Sequence, residues 1–63
     1  MAVRDMTRDQ LVAEYDRLCR LLGKAGLEPV VSSAVLDVFT DEQLGALISY
    51  DALRLVRLGR LEA

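Results

Sequence analysis

Few of the 63 residues carry side chains that act on substrates, and their spacing restricts them further. The chain has no histidine, so no serine or cysteine nucleophile can be paired with an imidazole base. Ser32 and Ser33 have no base near them and read as turn or N-cap residues. The carboxylate pairs Asp5/Asp9 and Asp41/Glu42 have the residue types of acid–base catalysis. They stand where helix starts favour negative charge, which explains them without chemistry. "GKAG" at 23–26 offers glycine and lysine but lacks the spacing of a phosphate loop and its following Ser/Thr. It reads as a helix stop. No catalytic residue is assigned, and the protein is expected not to be an enzyme.

Cys19 is the only cysteine. A disulfide within the chain is therefore excluded, and a structural zinc site usually takes four nitrogen or sulfur ligands. No metal, cofactor or small-molecule substrate is expected. Free cysteine behaves as a small buried hydrophobe, which places Cys19 in the core; an intermolecular disulfide is the other reading.

The elements that position these residues are helical. "TRDQ" from Thr7 has the form of a capping box, and from Leu11 the apolar residues follow helical spacing. Leu11, Tyr15, Leu18 and Leu22 form one stripe, with Val12 and Cys19 on its shoulder and Asp9, Asp16, Arg17 and Arg20 facing away. Gly23 is expected to stop this helix, with Lys24 suiting the negative end of its dipole. Pro29 makes the chain extended at Glu28. In "VVSSAVLDVF" the valines favour a strand, while Val31, Val35 and Phe39 share a helical face. A lone strand has no partner, so a short helix is expected from about Ser33 to Phe39.

"TDEQ" from Thr40 repeats the capping box, and Leu44, Leu47 and Ile48 define an inward face. Asp51 falls beneath Leu44, inside that apolar stripe. Burying an unpaired carboxylate costs several kcal/mol, whereas an N-cap stabilises by about 1 kcal/mol. The balance predicts a break near Ser49–Asp51 and a final helix to about Leu58. The alternative is a straight helix with Asp51 paired to an arginine, Arg17 or Arg20 of the first helix.

The end of the chain is apolar in several directions. Ala52, Leu55 and Leu58 lie on one side, while Leu53, Val56 and Leu61 lie elsewhere. Burying each such side chain is worth about 1.5–3 kcal/mol, and a contiguous exposed patch usually marks an interaction surface. A chain this short buries only about 60% of the surface its unfolded form exposes, so self-association or docking on a larger protein is expected. The expected interface is Tyr50, Leu53, Val56 and Leu61, with Arg54, Arg57 and Arg60 at the rim. From Glu28 to Leu53 there are five acidic residues and no basic one. The arginines then either compensate helix dipoles or meet an acidic surface, that of a second copy or of another protein.

Composition agrees with a small helical domain: 52% of residues are hydrophobic and 5% aromatic. The net charge of −2 argues against nucleic acid as main partner. No apolar run approaches the roughly 20 residues of a membrane span, and "MAVRDMTRDQ" has no hydrophobic targeting core. A cytoplasmic location is expected. Arginine far outnumbers lysine and asparagine is absent, a bias of GC-rich coding sequence that suggests a bacterial or phage genome.

"FTDEQLGALI" followed by "LRLVRLGRLEA", from Phe39 to Ala63, resembles the helix-turn-helix of excisionase-like and MerR-like DNA-binding domains. The resemblance implies a reduced DNA-binding or transcription-regulatory protein, with Arg54 and Arg57 contacting DNA and Gly59 turning into a wing. The residues themselves point first to a non-enzymatic, regulatory interaction module, homodimeric or docked on a larger protein. The expected fold is an all-α bundle of three to four helices. Residues 1–6 form a flexible leader and residues 7–63 one domain, with the long first helix antiparallel to the Thr40-initiated segment.

Overall fold

The computed structural model describes residues 6–59. Helix occupies 74% of these residues, and there is no strand among them. Both long helices begin at the expected capping boxes. Thr7 Oγ1 accepts from the Gln10 backbone N–H at 3.2 Å, and Gln10 Oε1 accepts from the Thr7 N–H at 2.8 Å. Thr40 and Gln43 repeat the exchange at 3.1 and 2.8 Å. Two of the orphan donors at each helix start are thereby satisfied. The helices that follow are α1, Arg8–Lys24, and α2, Asp41–Arg57.

The stripe of α1 points inward as its spacing requires: Leu11, Tyr15, Leu18 and Leu22 are buried, and Val12 and Cys19 pack partly buried beside them. Gly23 does not end α1, which runs through it to Lys24. The reversal comes at Gly26, with φ +78°. Gly26 N–H donates to Gly23 O at 3.1 Å and Leu27 N–H to Leu22 O at 2.8 Å, while Leu27 packs back on the core. This is the left-handed closure that glycine adopts without a Cβ penalty. Gly59, with φ +73°, plays the same part after α2.

The middle segment is helical over Ser33–Val38, close to the expected span, but as a 3₁₀ helix with a non-helical break at Val35. Three residues per turn no longer align positions four apart. Leu36 is therefore the buried residue; Val31 and Phe39 are half-buried, and Val35 and Val38 are exposed.

The expected break at Ser49–Asp51 is absent, and α2 is continuous through it. Leu44, Ile48, Asp51 and Leu55 form one buried face. The helix-turn-helix implied by the resemblance requires two helices in this stretch, where α2 is one. The described residues thus hold two α-helices and one 3₁₀ helix, without the further helix that a break would create.

The two long helices pack against each other. Arg8, the first residue of α1, donates to Asp41 Oδ1, in the first residue of α2, at 2.8 Å. The same guanidinium donates to Leu36 O at 3.0 Å and Phe39 O at 2.6 Å. At the other end, Arg54 donates to the carbonyl of Glu28, just past α1, at 2.8 Å. These contacts join the starts of the two helices and tie the loop after α1 to the last turns of α2, so the expected antiparallel packing is not confirmed. Short loops make antiparallel neighbours, whereas residues 25–40 are long enough to carry the chain back to the start of α1. Met6 packs against the core, so the end of the expected leader is part of the fold; residues 1–5 lie outside the described residues. No helix among the described residues is long and apolar enough to cross a membrane.

Candidate interaction surface

The two faces of α2 differ in kind, and the inner one explains how the outer one is held. Asp51 is 0% exposed. Its Oδ1 accepts from Arg54 at 2.9 Å, one turn later on the same helix. The straight-helix alternative therefore holds with a different partner from Arg17 or Arg20. Those two pair within α1, Arg17 with Glu14 and Arg20 with Asp16. A charge-assisted bond to a neighbour at i+3 removes the need for a break.

The Tyr15 phenol and the Cys19 thiol of α1 lie close enough to the Asp51 carboxylate to feel its charge. Tyr15 donates to Val31 O at 2.9 Å and accepts from the Val31 N–H at 3.2 Å, tying α1 to the extended segment. A phenol has one proton. With that proton on Val31 O, Asp51 Oδ2 stays buried without a hydrogen-bond partner among the described residues. Burial raises the Tyr15 phenol to about 12. Burial first, then the charges of Asp51 and Asp16, raise the Cys19 thiol. A raised thiol pKa means little thiolate, the opposite of a reactive nucleophile. The described residues bring no three Cys, Asp or Glu side chains together as a metal site.

Arg54 belongs to this inner arrangement rather than to a free rim. One guanidinium nitrogen reaches both Glu28 O and Asp51 Oδ1. Its carbon lies 6.0 Å from the centre of the Tyr50 ring, at the limit of a cation–π contact. The buried pair thus anchors the side chain against which an exposed aromatic rests.

The outer face lies opposite Leu44, Ile48, Asp51 and Leu55. Glu42, Ala46, Ser49, Leu53 and Arg57, spaced three and four apart, run along it and are exposed. Tyr50, beside this line, is 58% exposed and Leu53 is 47% exposed. Val56 is half-buried at the edge. Arg60 and Leu61 lie outside the described residues. The candidates Tyr50, Leu53 and Arg57 are therefore brought together on one surface, while Arg54 turns inward. Leu58, grouped with Ala52 and Leu55 on one side by its spacing, is exposed past the end of α2.

Between the N-terminal half of α2 and the start of α1, at one edge of this face, lies an open groove of about 500 Å³. Gly45, Ala46 and Ser49 form one wall, Met6 and Leu11 contribute apolar surface, and Asp41 and Glu42 supply negative charge. Sequence reasoning missed this groove because it depends on Met6 and Leu11 arriving from α1. A partial signal was present: small residues in the first half of α2 and large apolar ones in the second. The Asp51–Arg54 spacing was also legible as a helical i, i+3 pair.

No family model, curated protein or solved structure matches this chain.

Proposed function

We propose that this chain is a non-enzymatic helical protein–protein interaction module that docks through the outer face of α2. The observation that carries the reading is the exposure of Tyr50 and Leu53 on the helix face opposite the core. Large apolar side chains grouped on a surface favour burial against a partner, and tyrosine is enriched in interfaces because its ring is apolar and its hydroxyl polar. Arg57 sits beside them and supplies charge at the rim, where it guides orientation and encounter rate more than affinity. The Asp51–Arg54 pair and the Arg8 clamp fix the scaffold, so little ordering is required when a partner binds.

Site-specific photo-crosslinking in the native host tests this reading. A photoreactive amino acid at Leu53 should give discrete protein adducts, of this chain or another. The same group at Arg20, on the outer side of α1, should give few. Equal labelling at both positions, or none at Leu53, overturns the proposal.

A further inference from the structure

We infer that the outer face of α2 is covered by a second copy of the chain, the two α2 helices lying antiparallel about a twofold axis between Ser49 and Tyr50. This rests on the interaction-module reading and adds the identity and register of the partner. A twofold interface uses the same patch on both subunits, so the patch must be complementary to itself. In an antiparallel pair, residues at equal distances on either side of the axis meet. With the axis between Ser49 and Tyr50, Ser49 stands level with Tyr50 of the partner subunit and beside its own copy. Ala46 faces the partner's Leu53, and Glu42 faces the partner's Arg57. Ala46 and Leu53 set a small side chain against a large one, and Glu42 and Arg57 set opposite charges together.

Two features of the face agree with this register. The groove is confined to the half of α2 that contains Ala46 and Ser49, and the exposed Tyr50 and Leu53 stand on the other half. Rotation about the axis brings Leu53 of one copy level with the small residue Ala46 of the other. Among the described residues neither Glu42 nor Arg57 has an ion-pair partner within its own chain. Antiparallel pairing also sets the positive dipole end of each helix beside the negative end of the other. A register centred on Leu53 instead packs that residue on its own copy. It sets Ser49 against an arginine and leaves both the groove and Glu42 uncovered.

The test uses the full chain with Cys19→Ser as background, in sedimentation and cysteine-trapping experiments. Ser49→Cys, next to the axis, should form a cross-linked dimer under mild oxidation. Leu53→Cys and Ala46→Cys should each fail alone, their copies standing about 10 Å apart along the helix, yet cross-link when mixed. Glu42→Arg and Arg57→Glu should each weaken the dimer about tenfold, since two symmetric pairs become repulsive. The double reversal should restore it, which a dipole effect alone cannot do. Glu42→Gln and Arg57→Gln, checked for helicity by circular dichroism, replace either reversal that fails to fold and should weaken the dimer less. A monomer at every concentration, trapping through Leu53→Cys alone, or indifference to both charge changes overturns the inference. If the monomer still gives a photo-adduct at Leu53 with another protein, the interaction-module reading stands and only the second copy is lost. If it gives none, both fall.

Discussion

Arg54 holds Asp51 across one turn of α2, with 2.9 Å between guanidinium and carboxylate and the carboxylate wholly buried. The same nitrogen carries the carbonyl of Glu28. One arginine therefore neutralises the charge inside the core and fastens the loop after α1 to the last turns of α2. Truncating Arg54 leaves a buried charge, which costs several kcal/mol, whereas removing both partners is far milder. Arg54→Ala should lower the unfolding free energy by about 3 kcal/mol. Adding Asp51→Ala to it should recover part of the loss. Urea denaturation of the two single variants and the double variant measures this. A double variant less stable than Arg54→Ala contradicts the arrangement.

Tyr15 is the second buried tie. Tyr15→Phe keeps the ring but leaves both the N–H and the carbonyl of Val31 without the phenol, at a cost of about 1–3 kcal/mol at neutral pH. The same phenol gives an alkaline signature. Its folded-state pKa of about 12 lies above the ordinary phenol value of 10.0, with burial the main cause. The neutral form is favoured in the folded state, so its contribution is complete below pH 10 and is lost as pH rises towards 12. Urea midpoints for the natural chain should fall through that window, and those of Tyr15→Phe should fall less. Parallel loss in the two proteins would refute the assignment.

Cys19 should be a slow thiol. Burial and the carboxylates of Asp51 and Asp16 raise its pKa, with the Tyr15 hydroxyl opposing them. Less thiolate at pH 8 means slower alkylation by iodoacetamide than in the urea-unfolded chain. Asp51→Asn removes one of the two repelling charges and should speed the reaction several-fold in chains that remain folded by circular dichroism. An unchanged rate in that variant would place Cys19 outside the influence of Asp51.

Two glycines three residues apart should respond with opposite signs. Neither Gly23 nor Gly26 has a heavy atom within 4 Å of the place a Cβ would occupy, so backbone conformation decides. Gly23 is helical, and Gly23→Ala should stabilise the fold by about 0.5–1 kcal/mol. Gly26 has φ +78°, and Gly26→Ala should destabilise it by about 1 kcal/mol. Thermal midpoints moving in the same direction for both would contradict the closure at Gly26.

What the sequence determined by itself was local. Thr7–Gln10 and Thr40–Gln43 fix the two helix starts because a capping box is completed within four residues. The stripe Leu11, Tyr15, Leu18 and Leu22 fixes the buried face of α1 because helical spacing needs no knowledge of the partner. The apolar content of α2 beyond its inner face was visible in the same way, and with it Tyr50 and Leu53 as candidate contacts. Tertiary structure decided whatever depended on what lay opposite. Asp51 looked like a helix break because an isolated buried carboxylate is costly. Arg54, held also by the Glu28 carbonyl, supplies the partner that keeps the helix whole. The meeting of the two helix starts follows from the return path of residues 25–40 and from Arg8 bridging to Asp41, neither of which has a periodic signature. The groove exists only where Met6 and Leu11 meet Ala46 and Ser49, since a surface between two elements is not a property of either one alone.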